Sequence, residues 1–414
     1  MKKTVNRLLE KGSQIIGIDL PYFVKGSFWL TSIQAASVLS GFLLSLVYAR
    51  FLPKVIFGQY AFVFSFVAIF SGLAYPGMDT AVVRAVAQSR DQIVKQASLK
   101  VLPWVLIAAL PFLGLSGYYA LKPEPDFVLI LAFFSCFIFS LPIWSLRFYE
   151  SFLVAKNRFK LLFTISLVTN VLTALTMASV AVVFTHTLPL VIASLTLNAL
   201  LAIIFSQIVF RELNLKKPQK QDFSYARSLN DIRIFNYLAV FADKIIIGKF
   251  LGFEAVAIYT FAQLFPEQIK GFLKHFYTLS LPKLSRLNLQ NKKKKFYTKL
   301  GQFFVLSLFL AGAYAFLAPF IFKFVFPQYL ESVTYSQVLS LSLVSLPALI
   351  ITAFFESQTD TTSLRWQIYP TYSLQISLLF ILTLKFGLWG TVAAVIFGRL
   401  FSLASGLFLL ARKL

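Results

Sequence analysis

Long apolar runs, each closed by a short polar cluster, follow one another along almost the whole chain. A helix needs roughly 20 apolar residues to cross about 30 Å of hydrocarbon, and runs of that length predict twelve spans. They fall at 26–49, 56–78, 98–121, 126–146, 161–184, 188–210, 232–251, 254–280, 300–322, 333–355, 365–385 and 387–411. The eighth run carries Pro266, which removes a backbone donor and predicts a bent or tilted helix. Residues 1–25 mix Leu8, Leu9, Ile15, Ile16 and Ile18 with charges. That pattern suits an amphipathic segment lying on a membrane surface, and it lacks the apolar core of a secretory leader.

Two stretches of this pattern match each other. Arg50–Phe62 reads RFLPKVIFGQYAF and Lys249–Phe261 reads KFLGFEAVAIYTF. Both have a basic residue, then Phe-Leu, then Tyr and Phe in the same register. The same offset pairs Arg84 with Lys283 and Lys100 with Lys299. The offset is close to half the chain, so the sequence predicts two copies of one unit, with a substrate path between them. The expected organisation is an amphipathic segment at 1–25, a six-helix bundle at 26–210, a linker at 211–231 and a second bundle at 232–414. Six spans per copy give the copies the same orientation, a parallel pseudo-repeat about an axis along the membrane normal. The fold class is therefore an all-α polytopic membrane protein.

Composition agrees. The 414 residues are 58% hydrophobic and 17% aromatic, and the 13% that are charged are too few to coat a water-soluble surface. The net charge of +23 lies almost entirely in alternate loops, the most basic being 281–299 with its run Lys292–Lys295. Lysine and arginine gather in cytoplasmic loops, which places both termini in the cytoplasm. The basic balance then needs no nucleic-acid partner, and Lys292–Lys295 reads as a loop touching anionic head groups. Cys136 is the single cysteine, and His186 and His275 have no metal-ligand spacing around them. No phosphate-binding or dinucleotide glycine loop and no GxSxG occurs, so neither an ATP-driven pump nor a cofactor is expected.

Candidate chemistry rests on charges at membrane depth. One charge at the bilayer centre costs about 2.5–3.5 kcal/mol even on insertion scales, so such residues turn inward and commonly act on a substrate or ion. They are Asp243 and Lys244 in the seventh span, Glu267, Lys270 and Lys274 in the eighth, and Arg399 in the twelfth. Tyr259, Gln263, Glu267, Lys270, Lys274 and Thr278 recur at steps of three and four, which sets them on one helical stripe. The first span carries a milder stripe, Ser27, Gln34, Gly41 and Tyr48, equally suited to close helix packing. Arg84 and Arg147 lie near span ends in the first half and join the candidate cations. Plainer alternatives are a self-neutralising Glu267–Lys270 pair and an Asp243–Arg399 pair. Surplus cations suit an anionic substrate. Asp243 and Glu267, with Glu267 preferred, would carry a coupling proton or sodium ion.

At this point the residues resemble a family. GSFWLTSIQAASVLSGFLLSLVYARFLPKVIFGQYAF and its continuation to residue 88 are similar to the opening of Wzx-type flippases, the polysaccharide-transport branch of the MOP exporter superfamily. DKIIIGKFLGFEAVAIYTFAQ at 243–263, LPKLS at 281–285 and GLWGTVAAVIFGR at 387–399 resemble that branch as well. The resemblance implies two six-helix bundles around a cavity that opens to alternate faces of the inner membrane. It implies a cargo of undecaprenyl-pyrophosphate-linked or related oligosaccharide, as in O-antigen export, with membrane lipids and polysaccharide-assembly proteins as partners. Lipid II flippases of the superfamily have fourteen spans, and the missing pair argues against a peptidoglycan precursor. A multidrug-type exporter is the alternative transporter, against which a cation-rich cavity counts. A membrane polymerase or ligase is the alternative enzyme; the longest outer loop, near 322–333, is too short to house its site.

Overall fold

The apolar runs fold as helices throughout, and no strand occurs among the described residues. The computed structural model describes residues 20–74, 77–213, 224–285, 293–358 and 360–413, without the side chains of 20–27, 224–233, 274–285, 293–295, 357 and 361. Residues 1–19 of the proposed segment and 214–223 of the proposed linker lie outside the description, as does the Lys274 side chain. Residues 20–25 already belong to the helix Leu20–Phe51 and 224–231 to the helix Ser224–Phe250, so both expected boundaries shift.

The first half contributes α1 (Leu20–Phe51), α2 (Lys54–Ser71), α3 (Gly77–Ala87), α4 (Ile93–Ala120), α5 (Phe127–Ser145), α6 (Tyr149–Ala155), α7 (Phe159–Val183) and α8 (Thr187–Glu212). The second contributes α9 (Ser224–Phe250), α10 (Phe253–Ser285), α11 (Lys293–Val325), α12 (Ser332–Ser340), α13 (Pro347–Ser357) and α14 (Thr361–Lys413). Eight helices are individually long and apolar enough to cross a membrane. One of them, Thr362–Lys413, has 52 residues and breaks at Gly387, so it supplies two spans. The tenth expected span is a bent pair: α12 and the 3-10 turn Leu341–Ser345 meet α13 at 40°. α9 and α10, of 27 and 33 residues, are long enough but carry the mid-span charges Asp243, Lys244, Glu267 and Lys270.

Two expected spans are not the single helices the sequence suggests. The second stops at Ser71 and resumes as the short α3, whereas the fourth is the single helix α5, with α6 a short helix in the loop that follows it. The tenth bends because Pro347 cannot donate its backbone N–H and starts a new helix. α10, by contrast, stays helical through Pro266. The division between the last two spans falls where expected. Gly387 has φ +59° and ψ −138°, a conformation side chains disfavour, and it turns the chain back on itself.

Residues at one edge of each half pack as two lobes. In the first, Phe112, Phe133, Phe148, Val82 and Val101 form a fully enclosed core. The second lobe is zipped between the two arms of α14. Gln367 donates to the Ser402 carbonyl at 3.4 Å, and the Thr383 and Thr391 hydroxyls meet at 2.8 Å. Gly390, Gly398 and Gly406 face Leu382, Gln375 and Gln367 so closely that any side chain there would collide. Inside a membrane, where apolar burial drives association little, such small-residue contacts and interhelical hydrogen bonds hold helices together.

The lobes meet along α2, α9 and α10. The repeated segments noted in the sequence both fold as helix, tight turn, helix, α1–α2 and α9–α10. They meet at the end of the molecule that carries Lys54. Gly58 lies directly against the Phe253 carbonyl: a Cβ there would sit 1.7 Å from that oxygen. Below it, Phe57, Phe261, Phe326 and Tyr329 are buried together, with the Phe261 and Tyr329 rings 3.8 Å apart.

Candidate functional site

The charged residues of the second lobe converge because α10 offers one polar stripe toward α9 and the second arm of α14. Measured along the helices at 1.5 Å per residue, Asp243 lies about 10 Å from the end of α9 at Phe250, and Glu267 about 21 Å from the start of α10 at Phe253. Arg399 lies about 18 Å from Gly387, which puts it beside Glu267 at mid-depth.

At the shallower level, Asp243 is 2% exposed. Its Oδ2 accepts hydrogen bonds from Tyr259 Oη at 2.9 Å and Gln263 Nε2 at 2.9 Å, and Gln263 Nε2 also reaches Tyr259 Oη at 2.6 Å. Lys244 is half-buried next to it. The carboxylate is thus satisfied by neutral donors from the first three turns of α10. The sequence alternative of an Asp243–Arg399 pair does not form.

At the deeper level, the Arg399 guanidinium divides its donors. Nη2 pairs with Glu267 Oε1, and Nη1 donates to Ser342 Oγ at 2.7 Å. Lys270 Nζ lies 3.5 Å from the other Glu267 oxygen. The expected Glu267–Lys270 pair is present, and Arg399 makes it a triad with one negative and two positive charges. The Glu267 side chain is 40% exposed and Lys270 30%. Charged groups this far from either helix end would be costly against hydrocarbon, so their partial exposure marks a polar cleft rather than a packed core or a lipid-facing surface.

α1 borders this region. Gln34 approaches Gly271 of α10 and the Phe42 and Phe265 rings lie 6.0 Å apart, while Gly41 has nothing within 4 Å of a built Cβ. The small-residue packing considered for this stripe therefore does not occur at Gly41. Ser37 accepts from Asn170 Nδ2 of α7 at 2.9 Å. Arg147 and Arg84 stand apart from this cluster. Arg147 pairs with Asp79 at 2.8 Å at the end of the first lobe opposite Lys54, and Arg84 is exposed on α3. Sequence reasoning did not single out Ser342, Asn236 or Tyr372; all three are polar residues inside apolar spans, a signal legible beforehand. Among the described residues, no group of three metal-ligating side chains occurs.

Two helical lobes, a seam between them and a polar cleft at mid-membrane define a membrane transporter fold. The chain belongs to the polysaccharide biosynthesis protein family (Polysacc_synt), whose profile matches residues 23–288, more than half of its length. Among solved structures it is similar to an inward-facing multidrug-resistance MATE transporter of the MOP superfamily. The TM-score is 0.65 at 14% identity, covering 91% of this chain and 94% of that one. An outward-facing MATE transporter gives a TM-score of 0.61 at 13% identity, covering 94% and 95%. A MOP superfamily transporter from Pyrococcus furiosus Vc1, described as having a binding pocket of reverse polarity, gives 0.62 at 12% identity over 94% and 95%. At these identities the likeness is one of fold. No curated protein matches the chain in sequence.

Proposed function

We propose that this protein is a flippase that moves lipid-linked oligosaccharide repeat units across the inner membrane by alternating access. The observation that carries the reading is the Lys270–Glu267–Arg399 triad open to the cleft. An anionic diphosphate head group finds there a planar guanidinium able to make two parallel hydrogen bonds, and an ammonium beside it. It competes with Glu267 for both. Membership of the polysaccharide biosynthesis family supports a glycan cargo.

The positive-inside pattern puts the Lys54 end on the outer face. With the lobes tied at that end, the cleft receives cargo from the cytoplasm. Head-group phosphates take Arg399 and Lys270 from Glu267, and the lobes then separate at the Lys54 end and close at the other.

Energy enters through the carboxylates. Glu267 is engaged by two cations and changes partner with the cargo. Asp243 accepts from a phenol and an amide, donors that can rearrange around a proton or a sodium ion. We therefore assign the coupling ion to Asp243 rather than to Glu267. Deletion of the gene tests the whole reading: lipid-linked repeat units should accumulate facing the cytoplasm. Unchanged lipid-linked glycans in the deletion strain would reject it.

A further inference from the structure

One polar pair in the cleft belongs to neither charge cluster. Asn236 precedes Asp243 by seven residues on α9, which returns it to within about 20° of the same helical face. It lies about 21 Å from the end of α9 at Phe250, level with Glu267 and Arg399. Its side chain is exposed, and its Oδ1 accepts a hydrogen bond from Tyr372 Oη of α14 at 2.7 Å. An amide facing hydrocarbon at this depth would lose its water without replacement; sharing the Asp243 face and bonded to Tyr372, Asn236 is turned toward the other helices of its lobe, on the side from which Glu267 and Arg399 are reached.

The neighbourhood fixes this pair relative to Arg399. Tyr372 is three residues before Gln375, whose Nε2 donates to the Ala239 carbonyl at 3.3 Å and so ties α14 to α9. Gln375 also packs on Gly398, the residue before Arg399. Tyr372 and Arg399 are near enough to interact electrostatically. Alongside, the Phe235 and Tyr369 rings pack with centroids 4.9 Å apart. A carboxamide with donors to offer, a phenolic oxygen and adjoining aromatic carbon form the kind of surface that binds a pyranose, through its hydroxyl or acetamido groups and its C–H face.

We propose that Asn236 and Tyr372 form a subsite for the first sugar of the cargo, the one joined to the phosphate that Arg399 and Lys270 hold. This rests on the flippase reading above for the cargo class and adds the residues that would read its glycan. Binding of the phosphate would be common to all cargoes. Discrimination between glycans would arise where a hydrogen-bonding site rejects a sugar that cannot satisfy it.

The test uses the full-length protein in lipid nanodiscs and three probes: a bare polyprenyl diphosphate, and polyprenyl diphosphates carrying N-acetylglucosamine or galactose. At least one sugar-bearing probe should bind the wild type about 5- to 10-fold more tightly than the bare diphosphate, the worth of one or two net hydrogen bonds. Asn236→Ala and Tyr372→Phe should each remove that advantage while leaving affinity for the bare diphosphate unchanged. Tyr372→Phe removes one hydroxyl, so it carries the test if Asn236→Ala folds poorly. A sugar advantage that survives both substitutions, or none in the wild type, overturns the subsite while leaving the flippase reading standing. Failure of the wild type to bind any of the three removes both.

Discussion

Lys54 Nζ, at the start of α2, lies 3.1 Å from Glu331 Oε1 of the other lobe, and Glu254 flanks the same ammonium at 3.6 Å. One cation of the first lobe is thus held by two carboxylates of the second. Gln328 adds a bond to the Arg50 carbonyl at 3.5 Å. Exposed ion pairs contribute about 0–1 kcal/mol each, so this contact suits the latch that the proposed alternating-access cycle would have to open. A Lys54→Cys/Glu331→Cys variant should lose transport on oxidation and regain it on reduction. Normal transport by the cross-linked protein would show that the lobes never separate here.

Arg399 should be the most sensitive cation. Its charge-assisted bonds are worth about 1.5–3 kcal/mol, so Arg399→Ala should cut glycan export roughly 10- to 100-fold, with protein levels near normal. Lys270→Ala should cost less, because its distance to Glu267 is longer. Equal and wild-type export in both variants, measured as surface glycan per cell, would make the triad purely structural.

Asp243 should decide energy coupling. Asp243→Asn keeps the side-chain shape and the capacity for hydrogen bonds to Tyr259 and Gln263, but removes the charge. In vesicles the wild type should slow when the proton or the sodium gradient is collapsed, and the variant should be indifferent to both. A variant that still responds to the gradient would move the coupling site elsewhere, with Glu267→Gln as the next measurement.

Gly387 should be intolerant of a side chain. Its φ of +59° with ψ of −138° is accessible to glycine and strained for alanine, at a cost of about 1–3 kcal/mol. Gly387→Ala should therefore lower the thermal-inactivation midpoint of the purified protein. No change in that midpoint would mean that the turn relaxes without strain.

The spans were legible because apolar length is a one-dimensional property, and the break before Gly387 was legible because a glycine interrupts it. The α10 stripe was equally plain, since helical periodicity alone places Gln263, Glu267 and Lys270 together. Pairings between helices were not. From sequence Arg399 is set against Asp243, whereas the structure pairs it with Glu267; the choice depends on how α14 is placed along α10, which periodicity within one helix does not report. The break after Ser71 was hidden for another reason: apolar residues continue to Met78, so hydropathy does not register where α2 ends, whereas the end of α5 at Ser145 coincides with the end of its apolar run.

The contact of Gly58 with the Phe253 carbonyl has a mechanical consequence. It is a backbone-to-backbone bearing between the lobes, and it sits about 6 Å along α2 from Lys54. The levels of Lys270 and Gly271 lie some ~26 Å beyond it along α10. Rotation about that bearing moves the far rim roughly four times as far as the near one. A displacement of an ångström or two at the latch, enough to break both of its ion pairs, would swing the opposite rim by the width of a water molecule or more. Filling the bearing, as Gly58→Val would, separates the lobes at the point of least leverage, where the smallest error in spacing is magnified the most.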